Sequence, residues 1–253
     1  MIHFVGAGPG APDLITLRGA ELLRRAGLIV YAGSLVNPAL LEYAPEGCEV
    51  YDSASMTLDE VLEKLVEGHT RGVTTVRLHT GDPSLYGAIR EQMDRLRARG
   101  IPFEIVPGVS SFCAAAAAAE AEYTLPGVSQ TLIISRMEGR TPVPEREAVR
   151  SLAAHGASMV FFLSTGMLGR LCAELVAGGY PEDTHAALVY KASWPDERVL
   201  RGTLASLPVD AEAEGIVKTA LVLVGDFLGG TYELSKLYDP AFEHGYRDKR
   251  RGP

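Results

Sequence analysis

The sequence predicts an α/β fold of two α/β domains, the first with a mainly parallel sheet and the second with a mixed sheet, and a ligand cleft between them. Three observations predict it. Apolar β-like runs alternate with segments of helical period through the first half of the chain, the rhythm of parallel strands joined by helical crossovers. A turn-rich stretch, "YTLPGVSQ", interrupts that rhythm at residues 123–130. Beyond it, two strand-like segments separated by "SWPDE" read as a hairpin, which introduces antiparallel pairing. With 253 residues, 47 % of them hydrophobic, the chain can bury one large core or two modest ones. The predicted domains are residues 1–125 and 130–240, with 241–253 as a flexible tail.

"IHFVGAG" opens the first domain as a strand, and "TLRGAELLRRAG" follows as a helix that Thr16 caps and Gly27 ends. "LIVYAG" is a short apolar strand, after which Asn37 and Pro38 open another helix, with proline at its first position. "TLDEVLEKLVEG" begins on a capping box, in which Thr57 and Glu60 each satisfy an orphan backbone N–H. "VTTVRLH" is a strand ending at Thr80, and "PSLYGAIREQMDRLRARG" keeps helical spacing up to Gly100, with Asp82 as cap and Pro83 in the first turn. "IPFEIVPG" is the next strand, and "SSFCAAAAAAEAEY" the next helix, whose alanines permit close packing. The second domain offers strands at "TLIISR", "SMVFFLS", "HAALVYKA", "RVLRGTL" and "TALVLVG", with helices near 145–155 and 167–177.

Several functional classes recede on composition alone. Cys48, Cys113 and Cys172 are scattered and odd in number, which argues against a disulfide framework, and no histidine spacing suits a metal site. A formal charge of −8 disfavours broad nucleic-acid binding; the basic run "YRDKRRGP" at 246–253 reads as a solvated tail. The start of the chain lacks a basic segment followed by a long apolar one, and no apolar run is long enough to span a bilayer. The expected location is the cytoplasm.

Three Gly/Pro-rich corners follow strands of the parallel sheet: "VGAGPGAPD", "HTGDPS" and "VPGVSS". Ligands of open α/β sheets bind at the carboxyl edge, where glycines let backbone approach closely. Gly6, Gly8 and Ala11 satisfy a dinucleotide fingerprint, but Pro9 and Pro12 remove N–H donors and the second strand ends without the acidic residue that holds a ribose. That disfavours an NAD-dependent dehydrogenase. No nucleophile elbow and no phosphate loop is present. A noncatalytic module that has kept the fold remains an alternative, against which the intact glycine corners argue.

The motifs "VGAGPGAPDLITLRG", "RLHTGDPSLYG", "VPGVSSFCAAAA", "MVFFLS", "YKASWPDE" and "TALVLVG" stand in the order in which they occur in the tetrapyrrole methylases, which the chain resembles over residues 2 to about 228. Within that family, "YAGSLVNPALL", "SRMEGRTPVPE" and "YKASWPDERVLRGTL" are similar to the branch that methylates C-11 of precorrin-4 or its cobalt form in cobalamin synthesis; methylation at another ring position is the alternative. The resemblance implies S-adenosylmethionine as cofactor, S-adenosylhomocysteine as product, a small-molecule tetrapyrrole substrate and a homodimer. It implies cofactor contacts at Pro9, Gly81, Asp82, Leu85, Tyr86, Ser110 and Ser111 in the first domain, and at Leu163, Ala192, Thr219, Ala220 and Leu221 in the second.

The implied reaction moves a methyl group from a sulfonium to a ring carbon, so catalysis rests on holding two ligands in line and excluding water. No catalytic residue is singled out, and a base for the macrocycle proton is not identified. A polycarboxylate substrate on an acidic protein requires a local basic lining, for which Arg136, Arg140 and Lys191 are the candidates, with Trp194 against the flat macrocycle and Ser34 in the loop after the second strand.

Overall fold

The first strand, β1 (Ile2–Gly6), is buried at every position and has a parallel neighbour on each side. The structure is a computed structural model that describes residues 1–239, 242, 243 and 245. Its chain divides into two units: Met1–Ala118 with Val189–Arg198, and Ala119–Leu188 with the chain from Val199 onward. The predicted tail, 241–253, falls almost wholly outside the described residues.

In the first unit β1 is followed by α1 (Leu17–Arg24), β2 (Ala26–Tyr31), β3 (Glu49–Asp52), α2 (Leu58–Thr70), β4 (Thr74–His79), α3 (Ile89–Ala98), β5 (Phe103–Val106) and α4 (Ser111–Ala118). The strands form a five-stranded sheet in the order β3-β2-β4-β1-β5, and its neighbours pair parallel. The period-two alternation of β1 serves two cores. Ile2 and Phe4 face α2 and α3 through Val61, Leu62, Leu65 and Leu96, whereas Val5 joins Leu22 and Leu23 of α1 on the other face. A sheet covered on both faces buries its strands almost completely, and β1 and β4 are buried at every position except Thr74.

In the second unit the elements are β6 (Leu132–Arg136), α5 (Val149–Ala153), β7 (Ser158–Phe162), α6 (Leu168–Ala177), β8 (His185–Tyr190), β9 (Arg198–Thr203), α7 (Leu207–Ala213) and β10 (Ala220–Val224). The sheet order is β6-β7-β10-β8-β9. It is mixed, because β6 runs parallel to β7 while β10 runs antiparallel to it. No helix among the described residues is long and apolar enough to cross a membrane.

The predicted caps form as expected at Thr16, whose Oγ accepts the Gly19 N–H at 3.1 Å, and at the Thr57–Glu60 box. Four local expectations are corrected. Gly27 does not end α1; it lies inside β2, where a Cβ would fall 2.7 Å from the Cβ of Val73. The segment opened by Asn37 and Pro38 is a 3-10 helix, Pro38–Tyr43. The helix expected from Pro83 begins only at Ile89, because Tyr86 and Ala88 take left-handed φ of 55° and 48°. β3 and α7 had no counterpart in the sequence reading.

Candidate functional site

The three glycine corners meet at the carboxyl edge of the first sheet, where β4, β1 and β5 lie side by side. Gly8 and Gly81 form an antiparallel bridge, the Gly81 N–H donating to the Gly8 carbonyl at 2.9 Å and the Gly8 N–H to the Gly81 carbonyl at 3.3 Å. The third corner closes on the other two. A Cβ on Gly6 would sit 2.6 Å from the Cα of Gly108 and from the Gly81 oxygen, so backbone lies directly on backbone and no side chain is admissible at Gly6 or Gly108. Gly8 and Gly81 also need their freedom, at φ of +79° and +60°.

Asp82 is the polar staple of this cluster. Its carboxylate accepts the Gly108 N–H at 2.9 Å with one oxygen and the Ser84 N–H at 2.9 Å with the other. It therefore caps a turn and ties the second corner to the third, instead of capping a helix. Burial raises the Asp82 carboxyl, but the hydrogen bonds from the Ser84 hydroxyl, the Gly108 N–H and the Ser84 N–H outweigh it and hold the group below the ordinary aspartate range. Ser110 is buried and Ser111 starts α4, where first-turn N–H groups lack intrahelical partners. Leu85 is half-buried, and Tyr86 is exposed.

Two residues at the end of β4 add features that the sequence reading did not single out. Thr80 Oγ1 and His79 Nε2 are buried with no hydrogen-bond partner among the described residues. His79 is 4 % exposed and stacks on Phe4 with ring centroids 6.2 Å apart. Burial, helped by the charge of Arg77, pushes its pKa down to about 3, so the ring is neutral. Arg77 is itself buried, donating to Gln92 Oε1 at 3.3 Å and to the Val30 carbonyl at 3.2 Å, and burial lowers its pKa to about 10. The adjacency of "RLHT" to a glycine corner was the available signal.

Residues 189–198, between β8 and β9, group with the first unit. Trp194 donates its indole N–H to the Pro9 carbonyl at 3.2 Å, and its ring covers Gly10 so closely that a Cβ there would collide with it. The Ala11 N–H donates to Ser193 Oγ at 3.0 Å, and Asn37 donates to the Gly10 carbonyl at 2.9 Å. Lys191 pairs with Asp196 at 2.7 Å, and Ala192 is buried. Much of the main chain of the first corner is thus engaged with the protein, which narrows the main-chain grip expected there.

The candidates of the second unit share one end of its sheet. β10 runs antiparallel to β7 with Val222 opposite Phe161, so Leu163, just past β7, lies beside the start of β10 at Thr219, Ala220 and Leu221. Leu163 is 62 % exposed at φ 53°, and Thr219 takes φ 59°. Leu221, at 7 % exposure, belongs to the core. Arg136 pairs in register with Phe162, at the same end, and donates to the Met137, Thr141 and Pro142 carbonyls, so its guanidinium braces the following loop. Arg140 and Ser34 are exposed. Seven non-glycine residues among those described have positive φ, and four of them, Tyr86, Leu163, Lys191 and Thr219, are candidate site residues; strain of this kind gathers at functional positions.

A glycine-built edge whose neighbouring buried polar atoms lack partners among the described residues suits a ligand-binding site, and the comparisons with known proteins bear on which ligand. The family model of tetrapyrrole (corrin/porphyrin) methylases matches residues 1–208. A cobalt-precorrin-4 C(11)-methyltransferase of Methanocaldococcus jannaschii is 52 % identical over 99 % of this chain and 97 % of its own length. A precorrin-4 C(11)-methyltransferase of Pseudomonas aeruginosa is 45 % identical over 97 % of this chain and 98 % of its own. Among solved structures, a cobalt precorrin-4 methyltransferase of cobalamin biosynthesis matches with a TM-score of 0.88 at 45 % identity, covering 90 % of this chain and 96 % of that one. A uroporphyrin-III C-methyl transferase of Thermus thermophilus, complexed with S-adenosylhomocysteine, matches with a TM-score of 0.72 at 28 % identity, covering 90 % and 93 %.

Proposed function

The chain belongs to the tetrapyrrole (corrin/porphyrin) methylases, and from that premise we propose that it is an S-adenosylmethionine-dependent methyltransferase acting at C-11 of precorrin-4 or cobalt-precorrin-4. The observation that carries the cofactor assignment is the interlocked carboxyl edge, where Gly6 and Gly108 exclude any side chain, Gly81 holds a left-handed φ and Asp82 fixes the second corner to the third. Pro9, Gly81, Asp82, Leu85, Tyr86, Ser110, Ser111 and Ala192 are its proposed cofactor-binding residues in the first unit, with Leu163, Thr219, Ala220 and Leu221 in the second. The cofactor, when bound, supplies an electrophilic methyl group on a sulfonium.

The chain's own residues contribute position rather than reactive chemistry. Interlocked corners that cannot relax present a preorganised surface, and preorganisation is where alignment of two reactants gains its rate. Arg140, exposed on the loop that Arg136 braces, is the proposed carboxylate-binding residue of that loop. Ser34 is a further proposed substrate contact, whereas Lys191 is already paired with Asp196. The reading carries with it a cytoplasmic location and a homodimer, the latter checked by sedimentation of the purified protein.

The deciding experiment incubates the protein with methyl-labelled S-adenosylmethionine and either precorrin-4 or cobalt-precorrin-4. One labelled methyl located at C-11 by NMR is the expected result, and comparison of the two substrates fixes which form is natural. Transfer to another ring carbon, or to none, overturns the assignment.

A further inference from the structure

Between β8 and β9 the chain forms a strap whose internal bonds set its shape before any ligand arrives. The Trp194 N–H donates to the Lys191 carbonyl at 2.9 Å and the Glu197 N–H to the Trp194 carbonyl at 3.0 Å. The Ser193 N–H donates to Glu197 Oε2 at 2.6 Å. Lys191 pairs with Asp196 and places its ammonium 5.2 Å from the centre of the Trp194 ring. Lys191 and Ser193 hold left-handed φ of 46° and 69°, a strain on non-glycine residues that surrounding structure must offset.

Two consecutive peptide units of the first corner, Pro9–Gly10 and Gly10–Ala11, are held by the strap together with Asn37. Trp194 takes the Pro9 carbonyl, Asn37 of the first unit takes the Gly10 carbonyl, and Ser193 takes the Ala11 N–H. We propose that Trp194 and Ser193 are positioning residues: they lock the Pro9–Gly10–Ala11 main chain in its cofactor-receiving conformation, so that Trp194 serves the methyl donor through Pro9 and not the macrocycle through its ring face. This rests on the cofactor reading above. A glycine such as Gly10 has a wide choice of conformations when free, and a binding-competent state that is only partly populated weakens affinity by that fraction. The lock removes that penalty.

The test measures S-adenosylhomocysteine binding by calorimetry on the full chain, with Trp194→Phe, which keeps an aromatic ring but loses the N–H donor, and Ser193→Ala, which keeps a Cβ at the same φ but loses the acceptor. Each is expected to weaken binding about five- to tenfold, the scale of one hydrogen bond. In turnover assays the KM for S-adenosylmethionine rises by the same factor while kcat at saturation stays within about twofold. Leu65→Ala, in the α2 core, lowers the melting temperature and leaves both constants alone, which separates positioning from general destabilisation. If wild type binds S-adenosylhomocysteine and both variants bind it equally well, or if kcat falls with KM unchanged, the lock is refuted. If wild type itself does not bind, the cofactor reading beneath it is refuted instead. Should Trp194→Phe fail to fold, Ser193→Ala alone decides between these outcomes.

Discussion

At the carboxyl edge of the first sheet the candidate site is built by removing side chains; at the corresponding cluster of the second sheet it is built by keeping them under strain. Gly6, Gly8, Gly81 and Gly108 bring three corners into backbone contact. Leu163 and Thr219 instead hold left-handed φ that glycine would adopt freely, immediately beyond the ends of two strands that pair side by side. The contrast separates two ways of making a precise surface. Where glycine is used, the shape of the main chain is what matters, and the hydrogen bonds between corners fix it. Where a leucine or threonine occupies a glycine conformation, the side chain is worth its strain.

The comparison breaks most sharply at Gly108. Gly108→Val places a branched side chain where a Cβ already meets the Gly81 carbonyl and, at 2.8 Å, the Gly6 Cα. It is expected to cost about 1–3 kcal/mol of stability by overpacking and to abolish S-adenosylhomocysteine binding. Urea denaturation and calorimetry read the two effects, and an unmoved unfolding midpoint with wild-type affinity contradicts the interlocked edge.

Asp82→Ala tests the staple rather than the contact. Leaving the Gly108 N–H without its charged acceptor is expected to cost about 1.5–3 kcal/mol and to weaken S-adenosylhomocysteine binding at least tenfold, with the third corner no longer tied to the second by Asp82. The pH dependence carries a sign. A carboxyl held below its unfolded value near 3.9 contributes stability that is fully present above that pH and lost as pH falls through the lower folded value. Acid titration of the wild type should therefore show a loss that Asp82→Ala lacks; parallel curves for the two would place the staple elsewhere.

His79, at the end of β4, shifts in the same direction but titrates in a higher pH window. Its folded pKa of about 3 lies below the unfolded value near 6.5, so between those values the unfolded chain binds the extra proton and stability falls as pH is lowered. The slope reaches about 1.4 kcal/mol per pH unit in that window. His79→Phe, which retains stacking on Phe4 and removes the orphan Nε2, should flatten it. A slope unchanged in the variant assigns the acid sensitivity to another group.

How much of this was written in the sequence follows from the range over which each signal acts. The glycine corners and the Thr57 cap were legible because their causes are local: a φ requirement, or a side chain reaching three residues along. The same local grammar misled at Asp82 and Pro83, since a cap followed by proline serves a turn as well as a helix, and the helical period running through Leu85 hid the left-handed Tyr86 and Ala88. Gly27 read as a helix end but is small because Val73 packs on it. Trp194 read as a platform for a flat ligand because nothing in its neighbourhood announces Pro9, 185 residues away along the chain. β3 escaped because four residues at a sheet edge, two half-buried and two exposed, carry almost no pattern.

The smallest effect is the one that sharpens the contrast between the units. Leu163→Gly relieves a left-handed conformation that costs an L-residue about 1–2 kcal/mol, while added freedom in the unfolded chain takes back about 0.4–1 kcal/mol. The side chain is 62 % exposed, so little burial is lost. The net expectation is a gain of about 0.5 kcal/mol in stability together with a weakened affinity for S-adenosylhomocysteine, the opposite pairing to that of Gly108→Val, where both decline. A variant that is stabilised and binds as well as wild type would show that Leu163 keeps its strain for no ligand, and the division of labour between a side-chain-free edge and a strained one would fall with it.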